Sequence, residues 1–311
     1  MANKETSMAH HALAWRGLKL QLTANRQAAE VSACLSGRPW RWLTRGRQVA
    51  EVQRSAPRTA NAPLPDVAPT SPVERQALVD SVTWYHSIDL GEGLVTPGQF
   101  DHRPLLPQYR LPEQLDGQRV LDVATFDGYW AFEFERRGAA EVVALDLDRP
   151  AELDLPHSVR QKLQPEQLDV CFGRGFDVAR LLLNSRVRRV PLSVYSLDSK
   201  VLGMFDLVHV GDLLSHLANP ILALQRVAAM CRDQALVSEV YFPELEHPWP
   251  GCRVVYLGGQ HDATWWRLGL DALRQMTLDA GFRRVELLGR FKYGQRGMPQ
   301  NMNHAVLRAW K

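Results

Sequence analysis

The 311-residue chain has only four cysteines, Cys34, Cys171, Cys231 and Cys252, and none lies in a CxxC pair. That spacing excludes a disulfide framework or a cysteine-ligated zinc site, and reduced thiols are expected. No HxxxH motif or carboxylate cluster has metal-ligand spacing, so no required metal is expected. No uninterrupted apolar run reaches the roughly 18 residues of a spanning helix. The opening residues, MANKETSMAHHALAW, lack the basic-then-apolar pattern of a secretory signal. A cytoplasmic protein is the expectation. Absent as well is the GxGxxG loop that holds a dinucleotide pyrophosphate on backbone amides, which argues against a nicotinamide or flavin dinucleotide.

What is present divides the chain unevenly. Residues 1–70 carry ten Lys/Arg against four Asp/Glu, so the net charge of +3 leaves the remainder at −3. The basic character belongs to the N-terminal segment, and the isoelectric point is no argument that the body binds nucleic acid. Within residues 1–54, spaced Leu13, Leu18 and Leu22 suggest an amphipathic helix, followed by a basic stretch with Trp40 and Trp42. That extension reads as an accessory helix pair, or as a contact with a membrane surface, a glycan or a nucleic acid through residues 10–54. Residues 55–71 form a Pro-rich linker. Ser71-Pro72-Val73-Glu74 then has the residues of a helix start, opening a main domain over 72–311.

In that domain, strand-like runs (119–124, 142–147, 192–197, 205–211, 235–241, 284–289, 304–309) alternate with helical patterns (129–137, 173–186, 218–231, 268–280). The alternation predicts an α/β fold, a doubly wound, mostly parallel seven-stranded sheet. The last two strands lack an intervening helix and permit an antiparallel hairpin. In such sheets ligands sit beyond the carboxyl ends of the strands. There the sequence places Asp122, then the turn Ala124, Thr125, Phe126, Asp127 and Gly128. Asp146 follows at the end of the second strand, suited to the ribose hydroxyls of an adenosine, and Asp198 at the end of the third, suited to an adenine amino group. S-adenosylmethionine needs no phosphate cradle, and one loop glycine with acids suits its ammonium and ribose.

From Trp84 to about Phe282 the chain resembles the class I methyltransferases grouped with the wobble-uridine (mo5U) methyltransferases of tRNA. The stretches that carry the likeness are WYHSIDLGEGLVTPG, LDVATFDGYWAFEFERRGAAEVVALD, FDLVHVGDLLSHLANPILAL and ATWW with the later LDAGF. The resemblance implies a Rossmann-like fold and S-adenosyl-L-methionine as cofactor, held by Asp122, Ala124–Gly128, Asp146, Leu147, Leu197, Asp198 and Gly211. Two departures stand out. Relatives usually have glycine where this chain has Ala124, and a positive φ there would strain alanine by about 1 kcal/mol. Relatives also tend to follow the paired tryptophans with Pro-Asn, whereas Arg267 and Leu268 follow here.

Methyl transfer to a hydroxyl needs alignment and removal of a proton. His216, just after the fourth strand, is the first candidate base, or else a structural histidine capping a helix. Asp212 in the same loop is an alternative base, or orients that histidine. His86, on a segment expected to be a helix covering the cofactor, is a third. Trp84, Tyr85, Glu239, Tyr241, Trp265, Trp266 and Arg267 are candidate acceptor contacts, with His261 on the same insertion as the paired tryptophans. Gly98 would let a covering loop approach closely. The leading expectation is O-methylation of a small molecule or saccharide. The alternatives are a tRNA-modifying enzyme using S-adenosylmethionine or its carboxylated form, and an inactive methyltransferase-fold scaffold.

Overall fold

The computed structural model describes the backbone of residues 10–15, 18–25 and 28–34, and residues 63–311 except 169–170, 247–250, 261–262 and 300. The chain falls into two compact units, Met1–Gln48 and Val49–Lys311. In the first, strands β1 (His10–Trp15), β2 (Leu18–Asn25) and β3 (Ala28–Cys34) form an antiparallel meander. The helix expected from Leu13, Leu18 and Leu22 is therefore corrected to sheet. The alternation of Leu18, Leu20 and Leu22 with Lys19, Gln21 and Thr23 has a period of two, which specifies a strand. Trp15 pairs with Leu18 and Asn25 with Ala28, the register of tight hairpins. Trp40, Trp42 and the expected boundary at residue 54 lie outside the described residues.

The second unit is built on strands β4 (Arg119–Val123), β5 (Glu141–Asp146), β6 (Arg188–Pro191), β7 (Phe205–Gly211), β8 (Cys231–Val240), β11 (Arg284–Tyr293) and β12 (Met302–Trp310). Their order is β11-β12-β8-β7-β4-β5-β6. Pairs among β4 to β8 are parallel, while β12 runs antiparallel to both β8 and β11. The expected doubly wound seven-stranded sheet with a terminal hairpin is present. The third strand precedes the expected 192–197: residues 188–191 pair with β5, and 194–196 turn into a single 3-10 turn capped by Ser193. A separate ribbon, β9 (Val254–Tyr256) with β10 (Trp266–Leu268), occupies the insertion that the sequence left unassigned.

Helix α1 (Pro72–Asp80) begins where the Ser-Pro signal put it, although the Ser71 side chain makes no capping bond. Helices α2 (Tyr129–Arg136) and α3 (Arg174–Leu182) bury Phe134 and Phe176 on one face of the sheet, against Val120, Ala144 and Leu236. On the other face α4 (Pro220–Met230) and α5 (Leu270–Asp279) bury Leu224 and Leu273 against Val208 and Val237. The parallel strands are apolar on both faces because helices cover both. All five parallel strands run the same way, so the βα loops after β4, β5, β7 and β8 gather at one edge. The candidate site is there.

Candidate active site

The loop after β4 is held in an unusual shape. Ala124 (φ 62°) and Phe126 (φ 50°) both occupy the left-handed region, beside Gly128 (φ 92°). Gly128 is demanded twice over: a Cβ there would lie 2.4 Å from the Phe132 ring. The strain that the sequence implied for Ala124 is present in its backbone. Carboxylates fix this shape from two sides. Asp146 accepts the Phe126 amide at 2.6 Å and the Leu147 amide at 2.7 Å. Burial pushes its carboxyl up to about 6, against the pull of those amides. Phe126 is left 46% exposed, facing Tyr85 and Phe172.

Asp127 points inward instead. It accepts the amides of Tyr85 (2.9 Å) and His86 (2.8 Å), and its other oxygen meets His86 Nδ1. The Trp84–Phe100 segment is thus tied over the loop as an extended strap. The covering helix expected there is absent: His86 bridges to Phe100 and Asp89 to Val95. Gly98 permits the strap to fold on itself, since a Cβ would sit 2.0 Å from the His86 carbonyl carbon. Trp84 is buried and donates its indole hydrogen to the Val79 carbonyl, so its position is in the core. His86 is likewise buried, stacked on Tyr129 and paired with Asp127.

Two buried polar atoms at this loop lack a protein partner: Asp122 Oδ2 and Thr125 Oγ1. Buried polar groups in folded proteins are nearly always satisfied; Thr125 lies in the turn where a ligand is expected, and Asp122 near the end of the strand that leads into it. Leu197 is in the core, whereas Asp198 caps a one-turn helix by accepting the Lys200 amide at 2.8 Å. Gly211 ends β7, where a Cβ would press on His209 at 2.9 Å.

The second half of the site lies beyond β7 and β8. Asp212 is another left-handed residue, φ 46°. Its carboxylate accepts from Tyr293 Oη at 3.0 Å and lies 3.0 Å from His304 Nε2. Burial alone would raise its pKa, but the charge and hydrogen bond of His304 outweigh it and hold Asp212 down to about 2. Glu239 accepts the Leu214 amide (2.7 Å) and the Ser215 hydroxyl (3.1 Å). Its carboxyl is pushed up to about 8, first by burial and then by the charge of Asp212. Two neighbouring carboxyls are thus driven apart, one ionised and one protonated near neutrality. Tyr85 feels both of them, and its phenol is raised by burial and by these charges.

The expected partnership of Asp212 with His216 does not form. His216 is exposed, on a 3-10 turn, with Nδ1 3.3 Å from the Ala263 carbonyl. The histidine at Asp212 is His304, from the last strand, which the sequence reading passed over together with Tyr293. A histidine inside the apolar run NHAVLRAW was the available signal. Tyr241 packs in the core, and the paired tryptophans tie down the insertion. Trp265 donates to the Asp154 carbonyl at 2.7 Å and Trp266 to the Leu217 carbonyl at 2.9 Å. Arg267 lies over the Phe242 ring, 5.0 Å from its centroid. His261 lies outside the described residues. Among the described residues no cluster suits a metal ion, and no helix is long and apolar enough to cross a membrane.

A five-stranded parallel core, extended by an antiparallel hairpin whose last strand is inserted, with an acid ending the second strand, is the Rossmann-like fold of the class I methyltransferases. A family model described as a methyltransferase domain matches residues 103–287, and the chain belongs to that family. Among solved structures, the chain is similar to the N-terminal domain of EvdMO1 with SAH bound. That likeness has 16% identity and a TM-score of 0.53, and covers 76% of this chain and 95% of that one. The same domain in the presence of SAH and D-fucose matches at 17% identity and a TM-score of 0.52, with the same coverage. A Burkholderia thailandensis 1,6-didemethyltoxoflavin-N1-methyltransferase matches at 18% identity and a TM-score of 0.40, over 63% of this chain and 72% of that one. Among curated proteins none matches this sequence. The narrower likeness to the wobble-uridine enzymes is not among these findings.

Proposed function

We propose that this methyltransferase acts on a hydroxyl of a small molecule or saccharide, with the Asp212–Glu239 pair handling the acceptor proton. The observation that carries this reading is geometric: Asp212, held by Tyr293 and His304, and Glu239, held by Leu214 and Ser215, stand at the ends of adjacent strands β7 and β8. The orphaned Asp122 Oδ2 and Thr125 Oγ1, with Asp146 and the exposed Phe126, fit S-adenosyl-L-methionine, an ammonium-bearing adenosine. When bound, it supplies a methyl group on a sulfonium, an electrophile that needs no further activation. Asp146 would hold the ribose hydroxyls, and Asp122 the ammonium. The rings of Tyr85 and Phe126, with centroids 5.0 Å apart, would offer the bound cofactor an aromatic face. Asp212, fixed by His304 and Tyr293, orients the acceptor hydroxyl by accepting its hydrogen bond. Glu239, ionised as pH rises through about 8, takes the proton.

The described residues add nothing to the tRNA or membrane readings. Trp40 and Trp42 are not among them, and Arg267 is committed to Phe242. The test is calorimetric titration with S-adenosylmethionine and S-adenosylhomocysteine, followed by an acceptor screen that begins with deoxysugars. Asp146→Ala should weaken binding of both by at least about tenfold, the worth of one charge-assisted hydrogen bond. A folded wild-type protein that binds neither compound would sink the reading.

A further inference from the structure

A second polar chain runs through the sheet beneath the cofactor loop and joins Asp122 to His209 and Ser238, two residues that take no part in the chemistry above. Asp122, His209 and Ser238 stand on neighbouring strands β4, β7 and β8. His209 is the direct register partner of Asp122. Its Nδ1 lies 2.7 Å from Asp122 Oδ1, and its Nε2 lies 3.2 Å from Ser238 Oγ. Asp122 and His209 are each 1% exposed, and Ser238 is 2% exposed. The rings of Trp130 and Phe134 pack on His209 at 5.2 and 5.5 Å. Three polar side chains inside an apolar sheet cost stability unless every one is paired. All are paired here except for one atom, Asp122 Oδ2.

We infer that His209 is a positioning residue that aims Asp122 at the ammonium of the cofactor's amino-acid moiety. This rests on the S-adenosylmethionine reading. One tautomer satisfies the whole chain: Nδ1–H donates to Asp122, and the Ser238 hydroxyl donates to Nε2. That arrangement ties down Oδ1, fixes the carboxylate's rotation and leaves Oδ2 as the single unsatisfied acceptor. Asp122 immediately precedes Val123 and the strained turn, and is close enough to Asp146 for its charge to help raise that carboxyl. A buried carboxylate with one oxygen engaged and one open is a site for a cation that can donate hydrogen bonds. Adenosine and its ribose offer no such cation, and the amino-acid end does.

Two ligands share an adenosine thioether and differ at the amino-acid end. S-adenosylhomocysteine carries the ammonium and carboxylate, and 5′-methylthioadenosine carries neither. Both are titrated by calorimetry into wild type, His209→Leu and His209→Asn, with thermal melts alongside. His209→Leu should weaken S-adenosylhomocysteine about tenfold or more and shift methylthioadenosine less than about twofold. His209→Asn keeps a donor near the Nδ1 position and should recover most of the loss. If His209→Leu does not fold, Ser238→Ala serves, with a smaller loss that is equally selective for S-adenosylhomocysteine. Parallel losses for both ligands, or none for either, would overturn the positioning role. Wild type binding methylthioadenosine as tightly as S-adenosylhomocysteine would also overturn it while leaving the cofactor reading intact. Wild type binding neither would overturn both.

Discussion

The loops after β4 and after β7 sit side by side on one sheet edge, and both bend through left-handed residues, yet they are built oppositely. In the β4 loop the strained residues are Ala124 and Phe126, whose side chains do no acid–base chemistry. Their shape is supported by Asp146, which accepts the Phe126 amide, and by the loop's own Asp127, which ties it to the amides of Tyr85 and His86. In the β7 loop the strained residue is itself the functional group. Asp212 turns through φ 46° and reaches Tyr293 and His304, some 80 to 90 residues later in the chain. One loop is a shaped backbone that carboxylates support; the other is a carboxylate that the backbone presents. The difference predicts where substitution abolishes chemistry and where it only shifts binding.

The largest effect should come from Asp212→Asn. The shape is kept while the charge that pairs with His304 and raises Glu239 is lost. A drop in kcat of about 10²–10⁴-fold is expected, the usual span for a displaced acid–base group. S-adenosylhomocysteine affinity should move less than about threefold by calorimetry. If affinity collapses with kcat, the two loops are not divided between proton handling and cofactor binding.

Glu239→Gln tests the proton-handling half of that division through pH. In wild type the rate should climb with pH through about 8 as Glu239 ionises, and the variant should lose that limb. Stability carries the opposite sign. The folded pKa of Glu239 is raised, so the unfolded chain releases this proton first. Wild type therefore loses stability as pH rises from about 4.5 to about 8. The glutamine variant can still bond Leu214 and Ser215 and does not titrate. Its melting-temperature advantage over wild type should grow across that window and level off above it. A constant difference at every pH would show that Glu239 is already ionised in the folded protein.

These two loops were not equally legible in the sequence. The β4 turn, its single glycine and the acid ending β5 are local patterns, within 25 residues of one another, and the fold places them as read. Gly98 was legible too, as a small residue in a covering segment. The partners of Asp212 were not, because they come from a hairpin that reaches the site only through the antiparallel insertion of β12 beside β8. Sequence proximity favoured His216, and the 3-10 turn at 214–216 carries that ring out to solvent. At the N-terminus, leucines at 13, 18 and 22 fit a helix only by passing over Leu20. A period-two count would have found β2.

Ala124→Gly should give the smallest effect, and it tests how the β4 loop is supported. Alanine at φ 62° costs about 1 kcal/mol relative to glycine. Relieving it should raise the melting temperature by about 2–4 °C for a domain of this size. Cofactor affinity should change less than about twofold, because Asp146 and Asp127 hold the turn whether or not a Cβ is present. The same relief attempted as Asp212→Gly should remove activity altogether, since there the strained residue carries the carboxylate. If Ala124→Gly instead lowers the melting temperature, the Cβ contributes more in packing than the backbone loses in strain. The strained residue of the β4 loop would then matter through its own side chain, as Asp212 does in the β7 loop.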